Sequence, residues 1–178
     1  LADAVRNALA AQIADRRPPV RNFEDAERVA FIEWLGEMSE RLKPRKSEYQ
    51  TRMEFLHTLD YECTRAGLDR QMVLGLIQVE SNFRKYAISI AGARGYMQVM
   101  PFWTRLIGDG DTRRLFEMRA NLRYGCVILR HYLDIENGDL FRALGRYNGS
   151  LGRGEYPNAV LAAWKKYWHY EPPARTKA

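Results

Sequence analysis

Apolar residues recur along this chain at intervals of three and four, the repeat of an amphipathic helix. Residues 1–15 carry Val5, Leu9 and Ile13 on one stripe, and the run from Arg16 through Arg17, Pro18 and Pro19 ends it, because proline cannot continue a helix. Residues 23–42 carry Phe31, Leu35, Met38 and Leu42, with Pro44 as the stop. Residues 47–66 hold Phe55, Leu56, Leu59 and Cys63, and Gly67 stands where a C-cap glycine is expected. Asp69 is a good N-cap for a short apolar helix running to Val79. Residues 81–100 have no clean period and contain Gly92 and Gly95, so they read as a long ordered loop with a turn of strand. Pro101 suits the first position of the next helix, and residues 107–111 read as a turn. A strong helix follows, with Leu122, Cys126, Leu129 and Leu133 on a single stripe. Asp139 caps a helix towards Tyr147, residues 148–154 form a glycine-rich loop, and Pro157 opens a last helix bearing Val160, Trp164 and Trp168. The tail over 171–178 is expected to be disordered. No segment alternates like paired strands, so the pattern predicts a mostly-α fold.

Composition narrows this picture. At 178 residues the chain has the length of one domain with a small appendage. Its 28 Lys and Arg against 22 Asp and Glu leave a net charge of +6. Nucleic acid, anionic lipid and an acidic wall polymer all suit that balance. The cations are scattered among acids and no recognition motif accompanies them, so they read as solvated helix faces and no nucleic acid partner is expected. Two cysteines and three histidines offer little for a metal centre, and neither metal nor cofactor is expected. The longest apolar stretch, about 72–79, is far too short for a membrane span. Leu1 is not followed by a basic start and an apolar run, so no export signal is read here; a removed signal or a cytosolic fragment would look the same. Cys63 and Cys126 lie on apolar stripes of separate helices, and two readings stand open: two buried thiols, or one disulfide between packed helices.

Three elements carry candidate chemistry. Glu80 is four residues beyond Leu76 and eight beyond Met72, so it projects from the apolar face of its helix. A carboxyl there is desolvated, which raises its pKa into the range of a general acid. A terminal Glu that swings into solvent or pairs with an Arg is the alternative. Residues 89–101 follow, with glycines that admit close backbone approach and with Tyr96, Met97, Gln98 and Met100, a composition suited to a sugar cleft. Then Tyr147 and Asn148 stand at a helix end before Gly149, where a phenol and an amide can both point into a cleft.

In order and spacing, Val-Glu-Ser-Asn-Phe at 79–83, Ser-Ile-Ala-Gly-Ala-Arg-Gly-Tyr-Met-Gln-Val-Met-Pro at 89–101 and Tyr-Asn-Gly at 147–149 resemble the catalytic domain of soluble lytic transglycosylases. The family's Asn-x-x-x-Gly helix looks like 121–125, followed by Tyr132 and Leu133. Tyr96 stands where the family usually has Leu, and 146–150 departs from Ala-Tyr-Asn-Ala-Gly at three places. The resemblance implies a lysozyme-like (goose-type) helical domain over 51–170, preceded by an N-terminal helical extension over 1–50. It implies peptidoglycan glycan strands as substrate, a bacterial cell-envelope or periplasmic location, and a monomer. Glu80 is implied as the catalytic acid/base. Ser81 is implied to orient the helix end or the carboxylate. Ser89, Gln98 and Met100 are implied as cleft residues, Tyr147 as the phenol that hydrogen-bonds near the Glu, Asn148 as its neighbour, and Asn121 as a structural bond-former. Asp109, Asp111 and Asp134 lie in no motif, so the implied mechanism needs one carboxylate. Glu80 protonates the leaving glycosidic oxygen, then takes the proton of the 6-hydroxyl as a 1,6-anhydro ring closes. A goose-type lysozyme-like hydrolase and a non-catalytic wall-docking module are the alternatives.

Overall fold

The computed structural model describes residues 1–17 and 20–174, so Pro18, Pro19 and the last four residues of the expected disordered tail lie outside the described residues. Eight α-helices follow in chain order: α1 (Asp3–Ala14), α2 (Asp25–Leu42), α3 (Tyr49–Ala66), α4 (Arg70–Ser81), α5 (Phe102–Ile107), α6 (Met118–Ile135), α7 (Leu140–Asn148) and α8 (Glu155–Ala163). A 3-10 turn (Thr112–Phe116) leads into α6, and a π-helical turn (Trp164–Trp168) continues from α8. Among the described residues the only β-type pairings are two isolated bridges, Ile88 with Arg94 and Arg94 with Val99. The mostly-α reading holds, and the turn of strand in the 81–100 loop takes the form of these bridges.

Local chemistry sets the helix ends. The Asp69 carboxylate accepts from the amides of Gln71 and Met72 and starts α4, and Asp139 accepts from Arg142 and starts α7. Glu48 caps α3, because its carboxylate reaches the amides of Gln50 and Thr51. α3 stops at Gly67, whose φ of 65° needs a residue without a Cβ. Two proline expectations shift: Pro101 is the N-cap of α5 rather than its first residue, and α8 begins at Glu155, two residues before Pro157. The pattern does not separate the 3-10 turn from α6; Asp111 caps that turn through the Arg113 amide.

Two helices are sheathed on nearly every side. In α4 every residue from Met72 to Ile77 is buried, and α6 is buried from Ala120 to Leu129. α3, α8 and the π turn pack on α4; α3, α7 and α1 pack on α6. α4 and α8 approach closely at Gly75, where a Cβ would sit 2.9 Å from the Trp164 backbone nitrogen. α2 contributes Phe31, Trp34, Leu35, Met38 and Leu42 to the same continuous core. Arg52 of α3, only 4% exposed, ties that helix to α2 and its exit by donating to Ser39 Oγ and to the carbonyls of Lys46 and Ser47. Cys63 of α3 and Cys126 of α6 are buried free thiols with sulfurs 4.0 Å apart. No helix among the described residues is long and apolar enough to cross a membrane.

Candidate active site

α4 carries Glu80 in its last turn, next to Ser81. The chain then leaves through two non-glycine residues in the left-handed region, Asn82 (φ 49°) and Phe83 (φ 63°). Such conformations cost of order 1–3 kcal/mol each. Burial of Phe83 against Phe55 and Trp168 offsets that strain. The helix therefore ends sharply and the following loop doubles back over it.

That loop is held from several sides. The Ser81 hydroxyl lies 2.7 Å from the Tyr96 carbonyl, to which it donates, so Ser81 fixes the loop rather than the Glu80 carboxylate. Asn121 of α6, fully buried, accepts from the Met97 amide and donates to the carbonyls of Arg94 and Leu115, each at 2.8 Å. This bears out the structural reading of Asn121 at the level of its bonds. Gly95 (φ 75°) lies so close to Asn121 that a Cβ would meet its Nδ2 at 2.4 Å. Gln98, itself left-handed, turns its amide inward to the carbonyls of Ala87 and Gly95. Ser89 closes the tip by accepting from the Ala93 amide. Met100 is half-buried against the core.

One part of the sugar-cleft composition does not survive. Tyr96 and Met97 are 1% and 0% exposed and belong to the core, so neither offers a surface to a ligand. The Tyr96 ring packs on Phe55, and its hydroxyl accepts from the Lys46 ammonium at 2.7 Å. The ring fills an apolar position in the core, and the phenol adds one polar link to the α2–α3 connection.

Glu80 itself is partly buried, and desolvation pushes its carboxyl from 4.5 up to about 7, against a smaller lowering by a hydrogen bond. That bond comes from Tyr156 of α8, whose hydroxyl donates to Glu80 Oε1 at 2.6 Å. Tyr147 was expected to bond near the Glu. Its hydroxyl donates to the Met97 carbonyl at 2.6 Å, and it lies near enough for the Glu80 charge to push its own pKa up, after burial. Both phenols are held well above their ordinary range, by burial first, and so remain donors. Asn148 donates to Ser150 Oγ and shapes the turn after α7. Tyr156 was missed because it sits among ordinary helix-opening residues, 76 positions from Glu80, and only the packing of α8 on α4 brings it in.

The other acids stand apart. Asp109 binds Arg114 and the Asp111 amide, Asp111 binds Arg113, and Asp134 binds Arg130. No carboxylate is among the groups that perturb Glu80. The arrangement is thus a single carboxylic acid, protonated near neutrality, oriented by a phenol at the mouth of a glycine-bearing loop. No cluster of three or more metal-ligating side chains occurs among the described residues.

A family model described as the transglycosylase SLT domain matches residues 59–166. The membrane-bound lytic murein transglycosylase C of Haemophilus influenzae is 32% identical over 114 residues, covering 56% of this chain and 32% of that protein. The protein of the same name from Haemophilus ducreyi is 26% identical over 164 residues, covering 84% of this chain and 43% of that one. The chain thus spans less than half the length of these curated relatives. Among solved structures, an inactive mutant of the lytic transglycosylase Slt from Pseudomonas aeruginosa superposes with a TM-score of 0.51 at 21% identity. It covers 91% of this chain and 28% of that one, and the likeness is one of fold.

Proposed function

Because this chain belongs to the transglycosylase SLT-domain family, we propose that it is a peptidoglycan lytic transglycosylase of the bacterial cell envelope, with Glu80 as its only acid/base. The observation that carries this reading is the Glu80 carboxyl, raised to about 7 and bonded by Tyr156 at 2.6 Å, with no carboxylate among the described residues perturbing it. Glycosidases with two carboxylates place them roughly 5–9.5 Å apart. With one, the substrate supplies the rest: the N-acetyl group of the muramic acid stabilises the oxocarbenium-like centre. Protonated Glu80 donates to the β-1,4 glycosidic oxygen, and that bond breaks. The resulting carboxylate takes the proton of the sugar's 6-hydroxyl, whose oxygen closes on the anomeric carbon. The proton count returns to its start, no water is consumed, and the product is a 1,6-anhydromuramoyl end.

Ser89, Gln98, Met100, Tyr147 and Asn148 are proposed to border the glycan, with Ser81 and Asn121 holding the loop beneath it. The test is product analysis on purified sacculi. Wild-type protein should release fragments lighter by one water than hydrolysis products, and Glu80→Gln should release none while keeping its circular dichroism spectrum. Reducing ends alone in the mass spectra would establish the lysozyme-like hydrolase instead, and no release by folded wild type would establish the wall-docking alternative.

A further inference from the structure

Between α1 and the body of the chain lies a cavity of about 520 Å³, within the usual range for small-ligand sites. Glu80, Met97, Tyr147 and Tyr156 do not line it. Asn121 and Gly125 face the glycine-bearing loop, while Arg119, Ala120 and Tyr124 line this cavity from another side of the same helix. The opposite wall is the last turn of α1, with Ala10, Ile13 and Ala14. That wall lies outside residues 59–166 matched by the family model.

The cavity is also lined by polar groups that lack a protein partner among the described residues. Tyr124 is 2% exposed, yet its hydroxyl has no hydrogen-bond partner among the described residues. The space for that hydroxyl is kept by Gly108, where a Cβ would come within 1.7 Å of it. The acids around the cavity are already engaged: Asp15 by Arg17, and Asp109 and Glu117 by Arg114. Arg123 is held by Glu62 at 2.8 Å. That leaves the guanidiniums of Arg16 and Arg119, both lining the cavity and both without a carboxylate partner among the described residues. Two exposed cations and one hydroxyl, each without a partner of these kinds among the described residues, beside a wall of methyl groups, suit an anion attached to a small apolar body.

We propose that this cavity binds a short peptide ending in alanine with a free carboxylate, the carboxylate meeting Arg119, Arg16 and the Tyr124 hydroxyl and the methyl groups lying on Ala10, Ile13 and Ala14. Peptides of that kind are the stems of peptidoglycan, so the identity of the ligand rests on the function proposed above. A stem held there gives the enzyme a second grip on the polymer, apart from the glycan at Glu80.

The probe is N-acetyl-lysyl-D-alanyl-D-alanine, which contains no glycan and cannot be a substrate for Glu80. Titrated into isotope-labelled protein, it should shift the amide resonances of Ala14, Arg119, Ala120 and Tyr124. Its C-terminal amide should bind at least about tenfold more weakly, since a charge-assisted hydrogen bond is lost. Arg119→Ala and Tyr124→Phe should each weaken the free acid by about tenfold; the phenylalanine variant removes one oxygen and should keep the melting temperature. Glu80→Gln should bind the probe as wild type does. Equal affinity for acid and amide, shifts confined to the residues around Glu80, or no shifts at all would overturn the inference. If sacculi are still cleaved with anhydro products in any of those cases, the proposed function stands without it. If the tripeptide binds as described but sacculi release nothing, the site stands and the catalytic reading falls.

Discussion

Glu80 concentrates the physical chemistry of this protein in one proton. Its folded pKa, about 7 against an ordinary 4.5, rises because its surroundings disfavour charge. The acid form therefore persists near neutrality, and cleavage should fall about tenfold per pH unit above about 7 as the acid is lost. The Tyr156 hydrogen bond favours the ionised form. Tyr156→Phe should accordingly move the alkaline limb upward while slowing turnover by about tenfold through lost orientation. Dye release from labelled sacculi across pH 5–9 measures both, and an unmoved limb would remove Tyr156 from the site. The same shift is a stability statement. A raised carboxyl pKa stabilises the fold fully below the unfolded value of 4.5, and the contribution is lost as pH rises to about 7. Glu80→Gln, neutral throughout, should match wild type at pH 4 and exceed it by up to about 3 kcal/mol at pH 8 in urea melts.

Individual elements meet at Asn121. α6 presents this amide to three backbone groups of the loop and the preceding 3-10 turn, so helix and loop are one unit rather than a scaffold with a flexible cover. Asn121→Ala leaves a buried N–H and two carbonyls unsatisfied and should cost about 3 kcal/mol or more, read as a lower urea midpoint. Activity should drop with it, because the Met97 carbonyl that receives Tyr147 belongs to the same loop. Gly125 sets the distance of the loop from α6: a Cβ there would lie 2.3 Å from Met97 Sδ. Helix periodicity identified α6 readily, since its apolar stripe is strong. The loop could be read only as irregular, because its order comes from side-chain bonds that cross from other elements.

At the scale of the whole molecule, the helices before and after residue 49 share one core. Met38 and Leu42 of α2 are fully buried in the same cluster as Phe55 of α3 and Leu76 of α4. We propose that the two parts unfold together. Met38→Ala, a cavity in the extension, should lower stability by about 2–5 kcal/mol. It should shift one coincident transition in circular dichroism and tryptophan fluorescence. Two separated transitions would make the extension an independent unit. The net charge of +6, scattered in sequence, gains one local meaning from the fold: Arg16 and Arg119, 103 positions apart, come to line the same cavity.

The linear pattern by itself determined most of the helices, the caps at Asp69, Gly67 and Asp139 and the position of the candidate acid, because these depend on residues three or four apart and on side chains bonding their own backbone. It also reached the family, through ordered motifs that lie within about 70 residues. Tertiary structure alone decided which phenol bonds Glu80, that Tyr96 and Met97 face inward, and that the Tyr124 hydroxyl lines a cavity without a partner among the described residues. Each of those depends on how one helix face meets another, and contacts of that kind, distant along the chain, are set by the packing of the whole core.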